Sequence, residues 1–311
     1  MAEQFVVFCG NASRTLGQSI VRRLGACASQ ATSELFPDGE VNVQILDSVR
    51  EKDVFIVQST SPPVNDHLME LLAFADACRR ASAARIFAVI PYFGYSRSDK
   101  RLDGRQPISA RLVADLLQTA GVDHVITVDL HASQIEGFFR VPVDSISAVP
   151  VLCEAVRRVL PSGTVVVSPD AGRLKVATQY AHSLNTSVVL LHKTRDTGSE
   201  THVTHLVGDV RGRPCLIVDD MISTGGTIAE SVDKLLDAGA QPGVFVAATH
   251  GLLLKGARAK LATDGIADLF ITDTVEQPPE MWPRVHAVSV APCIAEVIQR
   301  VTMRETVSPR V

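Results

Sequence analysis

The residues best suited to chemistry stand in one uninterrupted string, Cys215-Leu216-Ile217-Val218-Asp219-Asp220-Met221-Ile222-Ser223-Thr224-Gly225-Gly226-Thr227. An apolar strand runs into two acids, then a hydroxyl- and glycine-rich turn, then a helix whose Thr227 and Glu230 have capping-box spacing. Free backbone N–H groups at Ser223 to Thr227 and the positive end of that helix form a cradle for a phosphate dianion. Gly225 and Gly226 let the backbone approach closely. Asp219 and Asp220 repel a phosphate but can accept hydrogen bonds from sugar hydroxyls beside it. Each piece alone suits an ordinary strand, turn and helix cap. Two acids after a buried strand, however, are costly unless exposed or matched, and the whole string reads as a site for a sugar phosphate.

In an open α/β sheet ligands bind beyond the carboxyl ends of the strands, so other residues just after strands are candidates too. Asp129 and His131 are two apart after one strand and would share a side if it persisted. A histidine there is more often structural, and magnesium prefers oxygen ligands. Lys193 and Arg195 follow another strand and by themselves suit a solvated loop. Arg97, Lys100, Arg101 and Arg105 make a cationic stretch, and Asp38-Gly39 alone reads as a hairpin turn.

The elements that must position these residues alternate along the chain. Val- and Ile-rich runs are expected as strands at 54–58, 85–90, 125–128, 164–167, 188–191, 216–218, 244–248 and 268–271. Helices lie between them. Asn65 is expected to cap one whose apolar face carries Leu68, Leu71, Leu72, Ala75 and Cys78. Pro107 suits the first turn of another, with Leu112, Val113, Leu116 and Leu117 on its apolar side and Gly121 at its end. A third is expected over 227–238, closed by Gly239. The pattern is α/β, with largely parallel sheets flanked by helices.

The 311 residues carry 30 Lys+Arg against 34 Asp+Glu, a net charge of −4, which argues against nucleic acid or anionic lipid as the main partner. At 46% hydrophobic and 21% charged, the chain has ordinary globular composition. The length suggests two domains, with a boundary near Ile146 to Pro150. Six scattered cysteines show no zinc-type spacing and are expected to be mostly buried thiols. The N-terminus lacks a signal-peptide pattern and no apolar run is long enough to span a membrane, so the expectation is a reduced, cytoplasmic protein.

The string from Cys215 to Thr227 resembles the phosphoribosyl-pyrophosphate binding signature shared by type I phosphoribosyltransferases and ribose-phosphate diphosphokinases. Five further motifs resemble the diphosphokinases in order and spacing: Phe36-Pro37-Asp38-Gly39-Glu40, Pro91 to Asp99, Val128-Asp129-Leu130-His131-Ala132, Gln134 to Phe139, and Ser168-Pro169-Asp170. The resemblance implies two similar phosphoribosyltransferase type I-like domains, 1–147 and 148–294, with the tail 295–311 packing back on the first. It implies Mg2+-dependent transfer of the β,γ-diphosphoryl group of ATP to the 1-hydroxyl of ribose 5-phosphate. It also implies roles. Lys193 and Arg195 are the catalytic pair, on a flexible loop that hinges through Gly198. Phe36, Asp38, Gly39, Glu40, Arg97 and Ser98 bind ATP. Arg195, Asp219, Asp220, Ser223, Thr224, Gly225, Gly226 and Thr227 bind ribose 5-phosphate, and His131, Asp170 and Asp129 hold the metal. The implied assembly is a homo-oligomer built from dimers, commonly a hexamer, with the cationic loop leaning into a neighbour's site.

Four departures accompany this resemblance. Ser98 replaces a glutamine, Ser223 an acid, and Arg173 interrupts a glycine pair after the Ser-Pro-Asp turn, while 305–311 lacks the apolar aromatic finish. The alternatives are a non-catalytic regulatory homologue and a base-transferring phosphoribosyltransferase.

Overall fold

In the computed structural model residues 5–101, 103–195, 201–278 and 282–307 are described, with the side chains at 192–195 and 201–205 outside that description. The chain divides into two compact units, one of Met1–Ser147, Thr274–Glu276 and Val290–Val311, the other of Ala148–Asp273 and Gln277–Ser289.

The first unit runs β1 (Phe5–Cys9), α1 (Arg14–Leu24), β2 (Ala31–Leu35), β3 (Val41–Ile45), β4 (Asp53–Val57), α2 (Val64–Arg80), β5 (Arg85–Ile90), α3 (Ser109–Ala120), β6 (His124–Val128) and β7 (Val143–Ile146). Its main sheet has the order β1-β4-β5-β6-β7, all parallel. Near-continuous apolar runs such as Val54 to Val57 suit strands covered on both faces. Val54, Ile56, Ile86 and Ala88 pack with Leu71, Phe74 and Leu117 from α2 and α3. On the opposite pleat Phe55 stacks on Phe87 at 4.5 Å and meets Phe5 edge-on at 5.9 Å. The hairpin β2–β3 stands apart from the main sheet, with Val43 and Ile45 packed on the α2 side of the core.

The second unit runs α4 (Val149–Arg157), β8 (Val165–Ser168), α5 (Leu174–Leu184), β9 (Val188–Arg195), β10 (Thr201–Val207), β11 (Cys215–Ile222), α6 (Gly226–Asp237), β12 (Val244–Gly251), α7 (Ala257–Leu261), β13 (Ile266–Thr272) and β14 (Val285–Val288). The chain then returns to the first unit as α8 (Ala291–Thr302), which packs on α1. The sheet order is β10-β9-β8-β11-β12-β13-β14, parallel except for the antiparallel β9–β10 pair. It walks outward from β8 to β10, returns to lay β11 on the other side of β8, and continues to β14. That reversal is the crevice where open α/β sheets bind ligands. The first unit's main sheet has no such reversal.

Several local expectations need correcting. Helix α2 begins at Val64 after an extended Pro63, so Asn65 lies inside it and accepts a hydrogen bond from the Tyr95 hydroxyl at 2.5 Å. Helix α3 begins at Ser109, leaving Pro107 outside. It buries Ala110, Val113, Ala114 and Leu117, while Leu112 and Leu116 are exposed, because small alanines let that side of the helix approach the sheet. Only Cys78, Cys153 and Cys215 are buried, and Cys27 is exposed. Burial pushes the Cys78 thiol up to about 12. Among the described residues no helix is long and apolar enough to cross a membrane.

Candidate functional site

Strand β8 pairs with β11 only through Cys215, Leu216 and Ile217, whereas β12 accompanies β11 as far as Ile222. Asp219 and Asp220 therefore lie within β11, where the sequence pattern places them after it, on the stretch that continues past the end of β8. Pairing with β12 satisfies one side of this backbone, and the ending of β8 opens the other.

The chain leaving β8 turns into this opening. The Ser168 hydroxyl donates to the Asp170 carbonyl at 2.8 Å, and an Asp170 carboxyl oxygen accepts the Arg173 N–H at 3.1 Å, capping a short 3-10 turn over Ala171–Arg173. The turn delivers the Arg173 guanidinium to both acids, with Nε 3.5 Å from Asp219 Oδ1 and 3.3 Å from Asp220 Oδ1. All three side chains are nearly enclosed, at 13%, 12% and 5% exposure for Arg173, Asp219 and Asp220.

Burial, and then the adjacent Asp220 charge, raise the Asp219 carboxyl well above its ordinary value, with Arg173 opposing. A group whose folded value exceeds its unfolded one stabilises the fold at pH values below the unfolded one. That contribution is lost as pH rises through the folded value. The window here opens at about pH 4, the ordinary aspartate value. Urea unfolding of Asp219→Asn should accordingly show a smaller loss of stability from pH 5 to pH 8 than the unaltered protein. Parallel pH dependences would contradict the assignment.

After β11, Gly225 adopts a left-handed backbone with φ +77°, which sends the chain directly into α6 at Gly226. Thr227 is thus already helical and is not the capping residue that the spacing to Glu230 suggests; Gly225 occupies the cap position. The loop is held from below, where Leu253 and Leu254 donate to the Ile222 and Ser223 carbonyls at 3.1 and 2.9 Å. A Cβ built on Gly225 would come within 2.8 Å of Leu261. A Cβ on Gly226 would meet nothing nearer than Thr224 Oγ1 at 3.8 Å and Lys260 Nζ at 3.9 Å. The start of α6 therefore presents N–H groups, an open approach and a nearby ammonium, the elements of an anion site.

The remaining candidates in the second unit are Lys193 and Arg195. Their backbones lie on β9, which extends past the expected end at 191 and pairs Lys193 with Val203 and Arg195 with Thr201. Their side chains, and the expected hinge at Gly198, lie outside the described residues.

In the first unit, Phe36 to Glu40 form the tip of the β2–β3 hairpin. Phe36 N–H donates to the Glu40 carbonyl at 2.8 Å, Gly39 N–H to the Phe36 carbonyl at 2.8 Å, and Asp38 accepts from Glu40 N–H at 3.1 Å. Phe36 is 49% exposed there, an unusual position for a large aromatic ring. Arg97, Lys100, Arg101 and Arg105 are all exposed on the segment after β5, and Ser98 is half-buried. Asp99 is buried and accepts from Gln134, tying this segment to the one after β6 that carries Asp129 and His131. Asp129 has φ +38° and its N–H donates to the Ile146 carbonyl at 2.9 Å.

Among the described residues no three His, Cys, Asp or Glu side chains converge as a metal-ligand cluster. The carboxylates of Asp129 in the first unit and Asp170 in the second are the donor type magnesium prefers, and His131 offers an imidazole nitrogen, a less usual donor for it. Three residues enter through the fold, Arg173 and Lys260 beside the second unit's acids and phosphate loop and Asp99 within the first unit. Arg173 stands in the sequence as an interruption of a glycine pair, Lys260 belongs to a short helix without a motif, and Asp99 ends a motif read for its arginine. Only the lone cation three residues after Asp170 carries a signal in the sequence.

Residues 5–121 match the family described as the N-terminal domain of ribose phosphate pyrophosphokinase, and residues 197–310 match the phosphoribosyl synthetase-associated domain. The chain is 44% identical to a ribose-phosphate pyrophosphokinase of Pasteurella multocida, covering 97% of each. It is 43% identical to the one of Corynebacterium efficiens, over 96% of this chain and 93% of that protein. The crystal structure of phosphoribosylpyrophosphate synthetase from Mycobacterium smegmatis superposes with a TM-score of 0.91 at 41% identity, covering 97% of this chain and all of the other.

Proposed function

The chain belongs to the ribose-phosphate pyrophosphokinase family, and from that premise we propose how its own residues divide the reaction. The enzyme transfers the β,γ-diphosphoryl group of ATP to the 1-hydroxyl of ribose 5-phosphate, giving phosphoribosyl pyrophosphate and AMP. The 1-hydroxyl oxygen attacks the β-phosphorus, the bond from that phosphorus to the α,β-bridging oxygen breaks, and AMP leaves as the hydroxyl proton is given up. Catalysis of this kind rests on alignment and on neutralising a crowded triphosphate.

The observation that carries the assignment of roles is the placement of Asp219 and Asp220 beside the Gly225–Gly226 loop at the sheet's reversal point. The loop from Ser223 to Thr227 takes the 5-phosphate on the N–H groups at the start of α6, with Lys260 as a neighbouring cation. Asp219 and Asp220 accept from ribose hydroxyls. Lys193 and Arg195 meet the transferring group, Arg195 also reaching ribose 5-phosphate, and Arg offers a fork of donors where Lys offers a point charge. On the ATP side, Phe36 supplies an aromatic face for the base, with Asp38, Gly39, Glu40, Arg97 and Ser98 around it. Magnesium would be held by Asp170 and Asp129 with His131, and when bound it supplies charge neutralisation to the triphosphate. The exposed hairpin tip and cationic segment suit sites completed by a neighbouring copy, consistent with a homo-oligomer, commonly a hexamer in this family. The same reading places the enzyme in the cytoplasm, without nucleic acid or membrane partners.

A coupled assay of AMP formation tests this reading, run with ATP, GTP and CTP and with phosphate varied. AMP should appear only when ATP, ribose 5-phosphate and magnesium are all present. Binding to a paralogue without turnover would favour a regulatory homologue. Pyrophosphate release from phosphoribosyl pyrophosphate and a nucleobase would favour a base transferase.

A further inference from the structure

Arg173 belongs neither to the phosphate cradle nor to the acids, yet it joins the turn after β8 to the far stretch of β11. Its backbone is fixed by the Asp170 cap, and its guanidinium is nearly enclosed between the two carboxyl groups assigned to the ribose. Asp220 N–H also donates to Asp219 Oδ1 at 2.8 Å, so the two acids and the cation form one connected unit. Without the cation, two adjacent enclosed carboxyls would repel each other and lose the contact that orients both. The guanidinium meets both carboxyls along its Nε edge, a planar charge held in one orientation that an ammonium on a flexible stem fixes less well.

We propose that Arg173 is a positioning residue of the ribose subsite, holding Asp219 and Asp220 as a pre-formed pair of acceptors before ribose 5-phosphate arrives. The inference rests on the reading that these two acids meet the ribose hydroxyls. It predicts that the departure from a glycine pair is functional: the sugar meets acceptors already ordered by the protein, and binding does not have to order them.

The test measures ribose 5-phosphate and ATP affinity by calorimetry on the full-length protein and on Arg173→Met, Arg173→Lys, Asp219→Asn and the Arg173→Met/Asp219→Asn double variant. Arg173→Met should weaken ribose 5-phosphate binding by about tenfold or more, the loss of one hydrogen bond to a charged group. Its ATP affinity should stay unchanged. Arg173→Lys, which keeps the charge without the planar geometry, should recover only part of the loss. The double variant should fall no further than the weaker single variant, because residues acting through one another are not additive. Unchanged or tighter sugar binding by Arg173→Met would overturn the inference, as would equal losses for sugar and ATP, or additive losses in the double variant. Undiminished binding by Asp219→Asn would instead overturn the underlying ribose assignment, so the two failures are distinguishable.

Discussion

Alanine in place of Arg195 is expected to slow AMP formation by about a thousandfold at saturating substrates, the lower end of what an arginine contributes to phosphoryl transfer. Lys193→Ala should cost about a hundredfold, comparable to loss of one preorganised donor at a developing charge. Both residues stand on β9, whose pairing with β10 continues to Arg195, so their backbones are carried by the sheet of the same unit that holds Asp219 and the phosphate loop. In the reaction, charge shifts toward the departing α,β-bridging oxygen, and a cation that meets it mainly in the transition state raises the rate without tightening the ground state. ATP affinity should therefore change little beside the loss in rate. Single-turnover measurements with separate nucleotide titrations check this. Variants that both turn over normally would remove the catalytic role from Lys193 and Arg195.

Gly226→Ala should separate binding from stability. Gly226 is the first residue of α6, and a Cβ there would touch nothing closer than 3.8 Å. Glycine is a poor helix residue, by about 1 kcal/mol relative to alanine, so the protein itself gains nothing from its absence of a side chain. The open space is explained if a phosphate needs the backbone N–H groups at close range. The variant should melt at or slightly above the temperature of the unaltered protein, while its ribose 5-phosphate affinity falls by about a hundredfold, the loss of one or two charge-assisted hydrogen bonds. Calorimetry and thermal unfolding on the same preparation read both effects. Undiminished sugar binding would place the phosphate elsewhere. The neighbouring Gly225 behaves differently, since its φ of +77° and the packing of Leu261 against it make the protein itself require glycine there.

Much of the fold and of the phosphate loop is legible in the residues themselves. Runs such as Arg85 to Ile90 announce covered parallel strands because nothing polar interrupts them, and β5 spans those residues. The phosphate loop is legible because glycines, hydroxyls and acids in one short string have few joint explanations. Strand lengths are less so: β11 carries Asp219 and Asp220 because β12 pairs alongside, and pairing partners are not written in the strand's own residues. Helix α6 starts one residue earlier than the sequence suggests, because Thr227 invites a capping box that the left-handed Gly225 makes unnecessary. On α3 Val113 and Leu117 are buried as their spacing suggests, but Ala110 and Ala114 share that face where Leu112 and Leu116 are expected, since close packing there favours small side chains. Arg173 stands out in the sequence as unusual, but its two partners lie 46 and 47 positions further along the chain and only the fold brings them within reach.

The central claim is that the β,γ-diphosphoryl unit moves intact to the sugar. Phosphorus NMR of a reaction with ribose 5-phosphate whose 1-hydroxyl carries 18O tests it most directly. AMP should carry no label, and in phosphoribosyl pyrophosphate the isotope shift should fall on the phosphorus that came from the β position of ATP, with 18O bridging it to C1. Label in AMP, or ADP formed with a singly phosphorylated 1-position, would contradict it.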